Sequence, residues 1–532
     1  MTLDFTTPYA SQRMPVMARN VVATSQPLAA QAGLRALQRG GNAVDAAIAA
    51  AAVLTVVEPT GNGLGSDAFA LVWDGARLHG LNASGRSPRS LTPERFGAHD
   101  AMPYRGWDTV TVPGAVSGWV ALHERFAALP FASLLEDAVR YADEGFAVSP
   151  IIARGWDMSR RTYTDQPDWQ RDFAPAGRVP SAGEIWRFPQ QARSLERIAE
   201  TGGEALYRGH LADAIVAHAR ANGALLDHAD LAEHRPEWVE PIATWFADHE
   251  LHEIPPNGQG LAALIALGIL RHRPDLRDHE LDSAPWLHLQ IEAMKLALAD
   301  AERWIADPEH MTEVRAADLL DDDYLAARAA TIDPERAADP GHGTPRPSGT
   351  VYLSTADADG RMVSFIQSNY AGFGSGVVVP ETGIALQNRG AGFVLTPDHP
   401  NRVGGGKRPF HTIIPGFLTH GGDARCAFGV MGGMMQAQGH VQMTLRMVGH
   451  QQNPQAASDA PRWRVTGGRG VALEAGVPDA VAQALVDLGH VVQRSAPDES
   501  FGFGGAQLIW RDGHGGYVAG SDHRKDGQAV GY

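Results

Sequence analysis

The chain of 532 residues is short of several things, and each shortage excludes a class of chemistry. It has one cysteine, Cys426, so an intrachain disulfide framework, a cysteine-built zinc site and an iron–sulfur cluster are all excluded. Cys426 lies in Ala424-Arg425-Cys426-Ala427-Phe428, which reads as a strand, and a buried inert thiol suits that setting better than a nucleophile. Three lysines (Lys295, Lys407 and Lys525) accompany 42 arginines, leaving few positions for Schiff-base or P-loop chemistry. The one glycine-rich candidate, Gly404-Gly405-Gly406-Lys407, continues into Arg408 rather than Ser or Thr and fails the P-loop pattern. Positive charge is scarce overall: 45 basic against 61 acidic residues leave a net charge of −16, which argues against a nucleic-acid partner. Long hydrophobic runs are missing too. The longest largely apolar stretch, 46–57, is too short to span a bilayer, and residues 1–25 have no basic region leading into an apolar one. The expectation is a soluble, cytoplasmic protein without a membrane partner.

Other motifs fail on spacing. Gly372-Phe373-Gly374-Ser375-Gly376 has its serine one place too late for a nucleophile elbow. The 22 histidines include no HExxH or comparable spacing, so a metal site is not expected. Gly61-Asn62-Gly63-Leu64-Gly65 is not the dinucleotide fingerprint and follows a helix rather than a strand.

What is present is a layered α/β pattern. Residues 26–57 read as helix, stop, helix, with Asn42 and Asp45 placed to cap a second helix that should be buried all round. A glycine-dense loop at 58–68 leads to short strands at 69–74 and 77–82. The stretch 114–325 reads as mostly helical, with helices at 118–128, 132–144, 190–201, 212–222, 261–270 and 285–305. Residues 333–349 (DPERAADPGHGTPRPSG) hold four prolines and three glycines and predict an extended, mobile connector. After it the texture turns to strands at 350–355 and 361–368 around a turn at 357–360, with helices near 438–448 and 478–488.

The junction Ser348-Gly349-Thr350-Val351 is the informative point. Cutting the Gly349–Thr350 bond would give Thr350 a free α-amino group beside its own hydroxyl, a nucleophile and base in one residue. An ordinary threonine entering a strand fits the same residues. A three-residue loop at Ala358-Asp359-Gly360 would pair residues whose numbers sum to 718, setting Thr350 opposite Ser368. A slip of one residue would turn Ser368 to the other face. Gly432-Gly433, after a strand at 426–430, offers backbone N–H groups for an oxyanion, or else only a tight turn. Arg86, in Ser84-Gly85-Arg86-Ser87, could clamp a carboxylate or be a solvated surface charge.

These pieces occur alongside Gly40-Gly41-Asn42-Ala43-Val44-Asp45, Val57-Glu58-Pro59, Val112-Pro113-Gly114, Glu144-Gly145-Phe146, Glu292-Ala293-Met294-Lys295 and Ala460-Pro461-Arg462. In this order they resemble the γ-glutamyltranspeptidase family of N-terminal nucleophile hydrolases, over nearly the whole chain. The resemblance implies an αββα sandwich made as a precursor. Self-cleavage would give a large fragment, 1–349, ending in the connector 333–349, and a small one, 350–532, of about 37 and about 20 kDa by length. It implies Thr350 as nucleophile, Ser368 as its supporting hydroxyl, Gly432 and Gly433 as oxyanion donors, and Arg86 as the grip on a substrate carboxylate. It implies no metal or organic cofactor, and its partners would be a small-molecule substrate and its own two fragments, with a homodimer of the processed unit left open.

The departures are equally specific. Leu386-Gln387-Asn388-Arg389-Gly390-Ala391 carries none of the acids with which transpeptidases bind a glutamyl ammonium. Tyr370 stands where they have an asparagine, and His411-Thr412 replace their paired serines. With Ser368-Asn369-Tyr370, this resembles the oxamate amidohydrolase branch, so Asn369, Tyr370, His411 and Thr412 are expected to line the substrate site. The alternatives are a γ-glutamyl hydrolase, transpeptidase or acylase of the family, and a homologue that binds a small anion without cleaving itself.

Overall fold

Asn42 caps the helix Ala43–Val57: its Oδ1 accepts from the amides of Val44 (2.8 Å) and Asp45 (3.2 Å), and Asp45 answers on the Asn42 amide at 2.8 Å. Every residue of this helix is buried, as a composition apolar but for Asp45 and Thr55 requires. In this computed structural model residues 12–340, 349–496 and 500–532 are described; positions 341–348 of the expected connector, Ser348 among them, lie outside the described residues.

Two seven-stranded sheets form the centre. The first runs Gln528–Gly531, Val21–Thr24, Gly349–Ala356, Met362–Tyr370, Asp67–Trp73, Leu78–Ala83 and Glu237–Val239, with every neighbouring pair antiparallel. The second runs Val16–Ala18, Tyr517–Ser521, Gly505–Arg511, Asp423–Met431, Gly416–His420, His249–Glu253 and Ile242–Phe246, again antiparallel throughout. Alternation along each strand separates the faces. Tyr352, Ile366, Phe417, Met431 and Ile509 meet in a layer between the sheets. Val351, Leu353 and Phe365 turn outward onto Ala43–Val57, Ala115–Phe126 and Phe131–Glu144. Cys426, Phe428 and Val430 turn onto Gly260–Arg271, Ala284–Trp304 and Met435–Thr444. The result is the four-layer αββα sandwich that the resemblance implied. Cys426 is fully buried, and burial pushes its thiol up, which fits an inert role.

Two expectations need correction. The stretch 114–325 also supplies five strands: Phe146–Ala147 and Ile185–Trp186 pair with each other, and Glu237–Val239, Ile242–Phe246 and His249–Glu253 join the two large sheets toward one edge of each. In His249–Glu253 Leu251 is the one apolar residue, so the period-two signal is hidden. Nor is the start of the connector loose. The Ala337 amide donates to the Leu488 carbonyl at 2.7 Å, His288 holds the Asp333 carbonyl at 2.8 Å, and Lys295 Nζ donates to the Ala338 carbonyl at 3.0 Å. His288, Glu292 and His490 in this cluster bring ligand-type atoms within 4.8 Å of one another. The ammonium of Lys295, 2.7 Å from Glu292 Oε1, already stands there as the cation.

Across the gap between sheets, Ser354 Oγ donates to the Ala427 carbonyl at 3.1 Å and Ser364 Oγ to the Phe428 carbonyl at 3.2 Å. The Tyr352 ring fits between them because Gly429 has no side chain: a Cβ there would lie 2.4 Å from the ring. Gly429→Ala should therefore lower stability by about 1–3 kcal/mol through overpacking, read as a fall in the thermal or urea midpoint.

Candidate active site

The site grows from one hairpin. Gly360 takes φ 91°, and Asp357 Oδ1 accepts from the amides of Asp359 (3.0 Å) and Arg361 (3.1 Å), closing the loop. The strands then pair Ala356 with Met362 and Val351 with Gln367, the register summing to 718, and shift by one at Gly349 and Tyr370. Thr350 and Ser368 are both buried, and Thr350 Oγ1 donates to Ser368 Oγ at 3.2 Å. The Tyr370 amide donates to the same Ser368 oxygen at 2.8 Å, fixing its position. From the opposite sheet's helix, Gln436 Nε2 reaches Thr350 Oγ1 at 3.5 Å. Gly61 lets its loop pass close by, since a Cβ there would stand 3.2 Å from the Thr350 carbonyl.

Gly432 and Gly433 follow the strand Asp423–Met431 with φ of 123° and 62°, conformations that favour glycine. The Gly433 carbonyl is held by Gln259 Nε2 at 2.8 Å and by the Gln436 amide at 3.1 Å. Among the described residues, the Gly432 and Gly433 amides donate to no other group. Two unclaimed N–H groups therefore lie on the turn that carries Gln436 to Thr350.

Asn369 is fully buried: its amide donates to the Gly61 carbonyl at 3.1 Å and its Oδ1 accepts from Ser66 Oγ at 2.8 Å. Tyr370 has φ 75°, rare for a bulky residue, and its ring meets Tyr104 edge-on at 5.9 Å. With Phe393, Phe410 and Met434 it lines a cavity of about 410 Å³. His411 Nε2 lies 3.2 Å from Asp67 Oδ2, and neither residue is exposed. Burial, aided by the Arg389 and Arg408 charges, holds His411 well below its ordinary value, so the ring is neutral. Burial likewise pushes the Asp67 carboxyl up to about 7, against the pull of Arg389 and the Gly85 amide. Thr412 Oγ1 accepts from Arg389 Nη1 at 3.0 Å.

The structure thus joins Thr350, Ser368 and Tyr370 by hydrogen bonds and sets Gly432 and Gly433 on the turn that leads to Gln436; Asn369 is tied to Gly61 and Ser66, Thr412 to Arg389, and His411 to Asp67. Arg86 is engaged elsewhere. Its guanidinium contacts Asp307 (2.9 Å), Glu309 (3.5 Å), Glu237 (3.6 Å) and the Gly406 carbonyl (3.1 Å). Sequence reasoning missed Gln436, Gln259, Asp67 and Arg389. Gln436 stands three residues after the Gly432-Gly433 pair, while Arg389 lies in the segment 386–391 that was read only for its lack of acids.

Comparison with known proteins places this geometry. The family model described as gamma-glutamyltranspeptidase matches residues 29–532. The chain is 36% identical over 521 residues to the glutathione hydrolase-like YwrD proenzyme of Bacillus subtilis, covering 96% of this chain and 98% of that protein. It is 35% identical over 518 residues to the oxamate amidohydrolase proenzyme of Klebsiella pneumoniae, covering 95% and 97%. The crystal structure of a cephalosporin acylase from Bacillus halodurans superposes with a TM-score of 0.95 at 49% identity, covering 100% of this chain and 99% of that one. By sequence across its length and by fold, the chain belongs to the gamma-glutamyltranspeptidase family.

Proposed function

We propose that the chain is a self-processing N-terminal-threonine amidohydrolase that cleaves the amide of a small carboxylate-bearing substrate such as oxamate. The observation that carries this reading is Thr350 itself, a buried hydroxyl on Ser368 at 3.2 Å with Gln436 on its other side, opening a strand directly after the connector. The names of similar proteins support the class: hydrolase, amidohydrolase and acylase, two of them proenzymes.

In maturation, Thr350 Oγ1 attacks the Gly349 carbonyl carbon, the Gly349–Thr350 amide bond breaks as an ester forms, and water hydrolyses the ester. Gly349 is left as a carboxylate and Thr350 with a free α-amine. In turnover that amine takes the Oγ1 proton as the oxygen attacks the substrate amide. The Gly432 and Gly433 amides receive the developing oxyanion. The proton passes to the departing nitrogen, ammonia leaves, and water cleaves the acyl ester on Thr350. From oxamate the products are oxalate and ammonia. A γ-glutamyl donor is disfavoured because residues 386–393 offer no acid for its ammonium, and burying that charge unpaired costs several kcal/mol. Among the described residues no helix is long and apolar enough to cross a membrane, which is compatible with the cytoplasmic location we assign.

Purified protein should run as two bands of about 37 and about 20 kDa on a stained gel. Thr350→Ala should instead give one intact band at 56.9 kDa and release no ammonia from oxamate. An intact wild-type band would favour the non-cleaving homologue, and turnover of a γ-glutamyl anilide but not oxamate the γ-glutamyl hydrolase. Ser368→Ala removes the hydrogen bond on the nucleophile and should slow ammonia release about tenfold to a hundredfold. Asp67 supplies a pH test. Its folded value of about 7 lies above the ordinary 3.8, so its contribution to stability is full below 3.8 and lost as pH rises to about 7. Asp67→Asn does not titrate, so its unfolding midpoint should gain on the wild type between about pH 4 and about pH 7 and keep that gain above; a constant gap refutes the assignment.

A further inference from the structure

Arg389 opens a short turn, Arg389–Gly392, directly after Asn388, whose amide donates to the Asn369 carbonyl at 3.1 Å. Its side chain is almost wholly buried, 1% exposed. Nη1 is used on Thr412 Oγ1, but Nε and Nη2 have no partner among the described residues. No described carboxylate lies within ion-pair distance of this guanidinium. Asp67, the acid whose charge it feels, is committed to His411 and to the Gly85 amide. Burial lowers Arg389 to about 10, which still leaves it charged at neutral pH. A buried cation without a counter-ion is unfavourable until an anion completes it.

The two open donors define the shape of that anion. Nε–H and Nη2–H lie on one edge of the guanidinium plane and point the same way, which matches the two oxygens of a carboxylate. Tyr370 connects this edge to the chemistry. Its ring lies 5.0 Å from Arg389 Cζ and lines the cavity, and its amide holds the Ser368 hydroxyl that contacts Thr350. Arg86, by contrast, is 31% exposed at the side chain and already faces three acids. We infer that the Nε/Nη2 edge of Arg389, and not Arg86, is the seat of the substrate's carboxylate, which makes Arg389 the residue that selects amides of dicarboxylic acids. The inference rests on the amidohydrolase reading above.

The test compares each half-amide with its neutral diamide: oxamate with oxamide, succinamate with succinamide, glutaramate with glutaramide. Initial ammonia release by the processed wild-type enzyme should favour the acid in at least one pair. In Arg389→Met, which should still cut itself into two bands, that acid-over-diamide ratio in kcat/KM should fall about 100-fold. Arg389→Lys keeps the charge without the fork and should lose about tenfold; it decides the matter if the methionine variant does not fold. An unchanged ratio in these variants, or its loss in Arg86→Met instead, overturns the assignment. Thermal shifts with oxalate, succinate and glutarate need no turnover. If no amide is hydrolysed but a dicarboxylate stabilises wild type and not Arg389→Met, the reaction falls and the seat stands. If amides are hydrolysed with no acid preference, the seat falls and the reaction stands.

Discussion

The loop at Ala358-Asp359-Gly360 sets a register, and the rest of the site follows from it. Asp357 ties the loop with its carboxylate, Gly360 takes the left-handed conformation, and the two strands beyond are locked at pairs summing to 718. Side chains in a strand alternate faces, so this one constraint puts Tyr352, Ser354, Ser364, Ile366 and Ser368 on the face toward the second sheet. A slip of one residue would turn Ser368 outward into the helix layer and leave Thr350 without it. The polar bonds from Ser354 and Ser364 to carbonyls of Asp423–Met431 then fix how the second sheet sits. The Gly432–Gly433 turn comes at the end of that same strand, so its amides and the threonine share one mechanical linkage.

Around this frame the site buries several ionisable groups, which is costly. Asp67, His411 and Arg389 are all buried, and burial moves each toward its neutral form. Hydrogen bonds offset part of that cost: His411 with Asp67, Asp67 with the Gly85 amide, and one nitrogen of Arg389 with Thr412. Backbone approach is equally tight. A Cβ on Gly85 or Gly114 would lie 1.7 Å from a neighbouring carbonyl oxygen, so these loops are packed main chain against main chain.

Much of this was legible beforehand, for identifiable reasons. Helices with strong apolar periodicity stand close to where spacing places them: Phe131–Glu144 against 132–144, Gly260–Arg271 against 261–270, Ala284–Trp304 against 285–305. The hairpin was readable because its loop chemistry and strand alternation agree. The edge strand Ile242–Phe246 and its neighbour His249–Glu253 were not, since Trp245 faces out while Thr244 faces in, and Glu250 and His252 leave Leu251 alone as the apolar residue. Arg389 was hidden for a different reason. A lone arginine in a glycine-rich segment has the signature of a surface charge, and its burial depends on Tyr370, Thr412 and Asp67, which are distant in sequence. Likewise, the proline count of 333–340 gave no hint that the helix Ala284–Trp304 and Leu488 would anchor that segment.

Both sheets interleave strands from the two sides of Gly349. In the first, Val21–Thr24 lies between Gln528–Gly531 and Gly349–Ala356; in the second, Gly416–His420 pairs with His249–Glu253. Neither side of that bond holds a complete sheet, so the cut proposed above could only follow assembly of the fold. An intact chain closes its strands at the modest entropic cost of a loop, whereas a cut one must bring two molecules together. Unfolding after the cut would therefore turn a concentration-independent search into a second-order encounter, and dilution alone would trap the halves apart. The nucleophile's free amine would come with a loss of the chain's ability to rebuild itself.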